Sequence, residues 1–124
     1  MQVPTDGALL RIFIGEDEKH GHMPLYEAIV LKAREMHLAG ATVLRGAIGY
    51  GPSSRIHTAK VLRLSQDLPL VVEIVDAKEK IDQLLAALDG MIGSGLVTLE
   101  KAQVLRYGGG NTTAGTPPSS GGTR

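Results

Sequence analysis

Residues 70–88 read LVVEIVDAKEKIDQLLAAL, and this stretch decides the fold. Its first six residues form a run of strand formers with apolar side chains at both parities. Asp76 and Glu79 follow with the spacing of a capping box, which predicts the start of a helix. The apolar positions after that recur at helical spacing; they are Ile81, Leu84, Leu85, Leu88, Met91 and Ile92. The stretch therefore predicts a buried strand followed by an amphipathic helix.

A second strand-and-helix pair is predicted nearer the N-terminus. Residues 8–14 are aliphatic and rich in strand formers. A polar loop follows, and Pro24 stands where the first helical turn accepts a residue without an N–H. Apolar residues then recur at helical spacing as far as Met36, and Gly40 supplies the expected stop. We predict a helix over residues 24–39.

The remaining segments complete the order β-α-β-β-α-β. Residues 41–45 have strand character, residues 58–64 alternate as a half-exposed strand would, and residues 96–105 form a last strand region that we expect to bend around Glu100 and Lys101. This order predicts an α+β, ferredoxin-like fold, with an antiparallel sheet and two helices on one face. The other sheet face is left uncovered although the strand at 70–75 is apolar on both faces, so we predict an oligomer.

Composition narrows the classes of function. With 124 residues and 43% hydrophobic residues, the chain is expected to form one domain over residues 1–107, followed by a disordered Gly/Ser/Thr/Pro tail over 108–124. Thirteen basic residues balance thirteen acidic ones, so we expect no nucleic-acid partner. The absence of cysteine excludes disulfides and thiolate chemistry. The sequence shows neither a leader nor an apolar run of about 18 residues, so we expect no membrane insertion and a cytoplasmic location.

Two glycine-rich loops are the candidate functional motifs. The first reads GAIGYGPSSR at residues 46–55 and follows a predicted strand; the second reads GMIGSG at residues 90–95 and precedes the last strand. Glycine adopts positive φ and has no Cβ, so such loops let backbone N–H groups approach a small anion. If the fold brings the two loops together, they form a pocket. Residues 50–58 are predicted to be a flexible excursion.

These motifs resemble those of the PII signalling proteins over about residues 8–107. The matching segments are GATV at 40–43, GYG at 49–51, the strand at 72–76 and the glycine turn at 90–95. A narrower resemblance is to a PII-related bacterial family of unknown function, through GED at 15–17, PLYEAI at 24–29, GATVLRG at 40–46 and DLP at 67–69.

The resemblance implies a trimer with a nucleotide in each cleft between neighbouring subunits. It implies that Gly49 and Gly51 form the base of a partner-docking T-loop. Gly90, Gly93 and Gly95 match the B-loop that wraps phosphates, and Arg106 lies near an arginine that reaches phosphates from the adjacent subunit.

Two departures from the PII pattern bear on the ligand. Leu96 stands where PII proteins have a lysine, and Ser94 replaces an acidic residue. Loss of the ammonium removes a charge directed at phosphate, so a ligand with fewer phosphates, or another anion, fits better.

We therefore predict a small trimeric regulatory protein rather than an enzyme, with a ligand that changes the order of residues 50–58. No Gly-x-Ser-x-Gly elbow occurs, and no Ser-His-carboxylate set falls on predicted strand ends. ATP, ADP, AMP and cyclic AMP are the candidate effectors, no cofactor is obligatory, and a membrane transporter or channel is the expected partner. The predicted ligand-binding residues are Arg45, Gly46, Gly49, Tyr50, Gly51, Gly90, Gly93, Ser94, Gly95 and Arg106. The predicted partner-binding residues are Ser53, Ser54, Arg55 and His57.

Two alternatives remain at this stage. Glu16, Asp17, His20 and His22 carry atoms that ligate divalent metals, which favours a trimer of the cation-tolerance type. The glycine loops also fit a purely structural oligomer in which they only reverse the chain.

Overall fold

The computed structural model describes residues 6–52, 55–58 and 67–108. Within these residues the elements are, in chain order, β1 (Asp6–Gly15), β2 (Lys19–His20), β3 (Met23–Pro24), α1 (Leu25–Glu35), β4 (Thr42–Arg45), β5 (Ile48–Gly49), β6 (His57–Thr58), β7 (Pro69–Asp76), α2 (Lys78–Leu88) and β8 (Leu96–Gln103). In this part of the chain neither helix combines the length and the hydropathy that crossing a membrane requires.

The main sheet has the strand order β4-β7-β1-β8, and every neighbouring pair is antiparallel. Ile12 at the centre of β1 lies opposite Val72 of β7 and Val97 of β8. The prediction of an α+β, ferredoxin-like fold is confirmed.

The core lies between this sheet and the two helices. Along β1 and β7 every second side chain is buried, as expected for strands with one face against helices. The largest fully buried apolar side chains are Leu10, Ile12, Leu25, Ile29, Val72, Ile74, Ile81, Leu84 and Leu88. The aliphatic runs therefore fill one continuous core.

Among the described residues, no helix covers the opposite face of the sheet. Leu9 and Phe13 of β1 are half-buried there, and Val75 of β7 is 36% exposed. At its centre the Nε of Arg11 lies 3.0 Å from a carboxylate oxygen of Glu73, and an Nη of Arg11 lies 3.5 Å from one of Glu100. This face is an apolar surface with an ion cluster in its middle, and we call it the open face.

The first helix is shorter than predicted, since it ends at Glu35 and not at residue 39. The N–H of Leu38 donates to the carbonyl of Ala33 at 3.0 Å, and the N–H of His37 donates to that of Arg34 at 3.1 Å. His37 has a φ of 64°. These are the bonds of a Schellman motif with histidine in the position usually taken by glycine, so Gly40 is not the stop.

The predicted capping box at Asp76 and Glu79 is wrong. Helix α2 begins at Lys78, and its N-cap residue is Ala77, which makes no capping hydrogen bond through its side chain. The Asp76 carboxylate instead accepts hydrogen bonds from the N–H of Ala77 at 2.6 Å and of Ala39 at 2.8 Å. The side chain is thereby used to hold the α1–β4 connection against the end of β7.

The last strand also differs from the prediction. β8 runs without a bend from Leu96 to Gln103 because all eight of its residues pair with β1, and Val104 and Leu105 lie beyond it. Of the strand predicted at 58–64, Thr58 belongs to β6 and residues 59–64 lie outside the described residues, as does the tail after Gly108.

Candidate functional site

The two glycine loops line one cleft of about 530 Å³. The lining comes from the end of β1, the start of β7, the first loop with the β5–β6 ladder, and the turn before β8. The residues are Phe13, Ile14, Gly15, Glu18, Gly46, Ile48, Gly49, Tyr50, Gly51, Pro52, His57, Asp67, Pro69, Leu70, Val71, Ser94 and Gly95.

Sheet topology explains why the loops meet. Gly15 at the end of β1 lies opposite Pro69, where β7 begins, and the first loop leaves β4 beside the same end of β7. The chain enters β8 at Leu96, opposite Phe13. Both loops therefore join the sheet at the same end of its strands, and the N–H of Gly46 donates to the carbonyl of Pro69 at 2.7 Å, which holds the first loop there.

The glycines of the two loops differ in what the fold requires of them. Gly95 has a φ of 128°, and a Cβ there would lie 2.5 Å from the carbonyl oxygen of Phe13, so no other residue fits without strain. Gly51 and Gly93 have no positive φ, and a Cβ on either would meet no described atom within 4 Å. The chain leaves open space beside these two backbones.

The excursion at 50–58 is anchored by the β5–β6 ladder, in which Gly49 lies opposite His57. Ile48, Tyr50 and Ile56 are 60%, 71% and 63% exposed at this ladder and beside it. Arg55 is exposed as well, whereas Ser53 and Ser54 lie outside the described residues. The base of the excursion therefore presents apolar side chains to solvent.

Two carboxylates that the sequence analysis did not single out line the cleft. Glu18 accepts the N–H of Gly15 at 2.8 Å, and Asp67 accepts the N–H of Asp17 at 2.8 Å. The other oxygen of Asp67 lies 3.9 Å from Nε2 of His57. The DLP motif, which contains Asp67, was the one sequence feature that pointed to this residue. Its hydrogen bond with Asp17 joins residues that are 50 positions apart, so the local sequence does not show it.

Four predicted ligand-binding residues do not line this cleft. Arg45 forms an ion pair with Glu16, and Gly90 and Gly93 lie in the turn before Ser94. Arg106 follows β8 whereas Gly95 precedes it, so the length of the strand, about 25 Å, separates them. Within one chain Arg106 is thus at the far end of the sheet from the cleft.

The metal alternative finds no ligand set in the described part of the chain. Across residues 6–52, 55–58 and 67–108, no group of three or more His, Asp or Glu side chains is arranged to hold a metal ion. His20 and His22 are both exposed.

Comparison with known proteins gives the family. A model of the DUF190 family, described as an uncharacterized ACR, matches residues 7–104. The chain belongs to the DUF190 family. Two DUF190 relatives carry the name UPF0166 protein. That of Aquifex aeolicus (strain VF5) is 43% identical over 97 residues, 78% of this chain and 91% of the relative. That of Methanocaldococcus jannaschii is 30% identical over 99 residues, 79% of this chain and 91% of the relative.

Solved structures similar to this DUF190 chain are PII-like. CPII, a nitrogen regulatory PII-like protein from Thiomonas intermedia K12 bound to ADP, AMP and bicarbonate, superposes with a TM-score of 0.63 at 17% identity, over 82% of this chain and 90% of that one. A PII-like protein from Thermus thermophilus superposes with a TM-score of 0.58 at 15% identity, over 84% of this chain and 93% of that one. At these identities the likeness shows the fold, which is the PII-like fold expected from the sequence.

Proposed function

We propose that this DUF190 protein is a PII-like regulatory protein that binds an adenine nucleotide, or a related small anion, in clefts completed by neighbouring copies. The observation that carries the proposal is the cleft to which both glycine loops contribute. Its volume of about 530 Å³ lies within the range of small-molecule sites. CPII, which has the same fold, was solved with ADP, AMP and bicarbonate.

Open backbone supports a ligand at the loops. Gly51 lines the cleft, and Gly93 stands one residue before Ser94, which also lines it. Because neither needs to be glycine for the fold, a ligand that approaches the backbone gives a reason for the missing side chains. We propose that the B-loop match at Gly90, Gly93 and Gly95 holds the anionic part of the ligand.

Neighbouring copies supply the residues that one chain holds away from its cleft. The open face is apolar, and no helix in the described part of the chain covers it, so three copies packed through it would bury Phe13, Val75 and their neighbours. In such a trimer Arg106 of one copy serves the cleft of the next. The ligand site is then complete only in the oligomer.

Ligand binding is transmitted to a partner protein through residues 50–58. A ligand at Gly49, Tyr50 and Gly51 touches the ladder that anchors the excursion and so selects one arrangement of it. Exposed Ile48, Tyr50 and Ile56 offer an apolar surface for a partner. We propose that the protein is cytoplasmic and that this partner is a membrane transporter or channel. The protein acts by binding and not by catalysis.

Ligand binding is tested by calorimetry and thermal melts of the full chain with ATP, ADP, AMP, cyclic AMP and bicarbonate, comparing wild type with Gly51→Val. A ligand that prefers the native state raises Tm by mass action. We expect an adenine nucleotide to raise the wild-type Tm and Gly51→Val to abolish the shift. Gly40→Val is the matched control, because Gly40 also has open space and no positive φ but does not line the cleft.

Three results would contradict the binding site or the class of ligand. Flat traces with every nucleotide and with bicarbonate remove the regulator and leave a structural oligomer. A shift with divalent zinc, copper or nickel alone favours the metal alternative. A nucleotide shift that survives in Gly51→Val moves the site away from the cleft.

The signalling step has its own readout. Hydrogen exchange with and without nucleotide should show slower exchange at residues 48–58 and unchanged exchange in the centre of β7. Equal exchange at 48–58 in the two states would separate ligand binding from any role of the excursion.

A further inference from the structure

The charged side chains that line the cleft are acidic. Among the described lining residues, Glu18 and Asp67 carry carboxylates, His57 carries an imidazole, and none is lysine or arginine. Glu18 and Asp67 are each half-buried, so solvent screens them less than it would screen surface carboxylates. Within one chain this lining repels additional negative charge, and in the proposed trimer the single guanidinium of Arg106 from the next copy would offset no more than one of the two carboxylates.

Both carboxylates are held in place. The N–H of Gly15 donates to Glu18 at 2.8 Å, and the N–H of Asp17 donates to Asp67 at 2.8 Å. The segment between them is itself tied down, since the N–H of Glu16 donates to the carbonyl of Leu68 at 2.9 Å. These side chains therefore cannot swing out of the cleft without breaking bonds to the backbone.

The arginine beside the first loop does not offset this charge. The Arg45 guanidinium pairs with Glu16 and stands outside the lining. Nε2 of His57 lies 3.9 Å from a carboxylate oxygen of Asp67. The imidazole therefore faces the carboxylate of Asp67 and does not offset the charge of Glu18.

We propose that Glu18 and Asp67 set the charge selectivity of the cleft and restrict it to nucleotides with a single phosphate, the AMP class, in preference to ATP. The inference rests on the proposed function and specifies its ligand. Each further phosphate adds at least one negative charge, which the two fixed carboxylates oppose. The same carboxylates accept hydrogen bonds from ribose hydroxyls or from the amino group of the base, because an ionised carboxylate only accepts.

Calorimetry of the full chain with adenosine, AMP, ADP and ATP, without magnesium, tests this selectivity. We compare wild type with Glu18→Gln and Asp67→Asn, which keep a carbonyl oxygen for the N–H of Gly15 and of Asp17. Each substitution should raise the ratio of ATP affinity to AMP affinity by roughly three- to tenfold. Glu27→Gln makes the same charge change on the exposed side of α1, outside the cleft, and should leave the ratio unchanged.

Salt provides a second readout. Raising KCl from about 0.05 M to about 0.5 M shortens the screening length, so the wild-type preference for AMP should shrink, and it should shrink less in Glu18→Gln. A wild type that binds ATP as tightly as AMP overturns the inference. So does a ratio that stays within about twofold of wild type in both variants while their Tm values match wild type. Absence of binding by any adenine compound would instead remove the proposed function itself.

Discussion

Gly95 and Gly93 are two residues apart in one turn but are glycine for different reasons. The φ of 128° at Gly95, together with the carbonyl of Phe13 at 2.5 Å from a Cβ, makes any side chain costly there. We expect Gly95→Ala to lower the free energy of unfolding by about 1–3 kcal/mol, measured by chemical denaturation. Gly93→Ala is the control, since space beside it is open, and its stability should equal that of wild type. Equal stability of the two variants would show that residue 95 is not strained.

His37 is a second residue whose backbone sets its preference. A non-glycine residue at a φ of 64° is destabilised by its own Cβ. His37→Gly should therefore raise the free energy of unfolding by about 0.5–1 kcal/mol, measured in the same way. His37→Ala keeps the Cβ and should bring no such gain, so a gain shared by both variants would point to the imidazole instead.

Single residues also show where local sequence is informative. The glycines of both loops were predicted as loop residues, because clustered glycines are typical of turns and loops whatever their tertiary contacts are. Glu18 and Asp67 were missed, because a carboxylate in a polar loop looks the same whether it faces solvent or a cleft. Only the pairing of β1 with β7 brings Asp17 to Asp67.

At the scale of elements, Asp76 links the β7–α2 connection to the α1–β4 connection. The residue is 2% exposed, and its carboxylate accepts one hydrogen bond from the N–H of Ala77 and one from the N–H of Ala39. Close by, the ammonium of Lys80 donates to the carbonyl of Met36 at 3.0 Å, and the hydroxyl of Tyr107 donates to that of Ala39 at 2.9 Å. The α1–β4 connection is thus fastened to β7, to α2 and to the segment after β8.

Neutralising this carboxylate should destabilise the fold. Asp76→Asn replaces one acceptor oxygen by an NH2 donor, which leaves one of two part-buried N–H groups without its acceptor, and we expect a loss of about 1–3 kcal/mol in the free energy of unfolding, measured by chemical denaturation. Asp82→Asn removes the partner of Lys78 on the exposed face of α2 and should cost about 0.5 kcal/mol or less. A loss at Asp76 no larger than that at Asp82 would contradict the role of the junction.

Elements were predicted best where the local pattern agrees with the tertiary partner. The strand at 70–75 and the helix after it have both an apolar period and the matching neighbours, and they appear close to the predicted bounds. The end of α1 and the unbent β8 were not predicted. The end of α1 depends on the Schellman hydrogen bonds around His37. The straight course of β8 depends on the pairing of all eight of its residues with β1, and the local sequence around Glu100 and Lys101 does not show this pairing.

At the scale of the whole molecule, the open face makes a prediction about assembly. Val75 lies on it and is 36% exposed in the single chain. In a trimer formed through this face, Val75→Asp buries a carboxylate at the interface, which is strongly unfavourable. Light scattering should give wild type a mass three times the 13.1 kDa of the chain and Val75→Asp a lower mass.

Leu31 provides the matched control for Val75. It is also 36% exposed, but it lies on α1, which packs on the other side of the sheet. Leu31→Asp should keep the wild-type mass, and both variants should keep the wild-type circular dichroism. A Val75→Asp protein that remains a trimer would exclude the open face as the interface.

Much of the fold could be predicted from the sequence, because a given order of strands and helices is compatible with only a small number of topologies. The ferredoxin-like fold follows from that order, and the PII-like character follows from the resemblance of the loop motifs. The meeting of the two loops was a condition in the sequence analysis, and it is the strand pairing that brings them to one cleft. The acidic character of the cleft does not follow from that order, because it is set by which polar side chains the strand ends bring together. The balanced net charge of the chain hides this local excess at Glu18 and Asp67.

β8 pairs with β1 along one side, and in the described part of the chain its other side is an edge of the sheet that runs for eight residues. Leu96, Val97 and Leu99 are among its exposed side chains. A long apolar edge invites strand addition by any other chain. We expect the isolated subunit to associate through this edge at high concentration, and Val97→Lys, which places a charge on the edge, to keep the subunit in solution for spectroscopy.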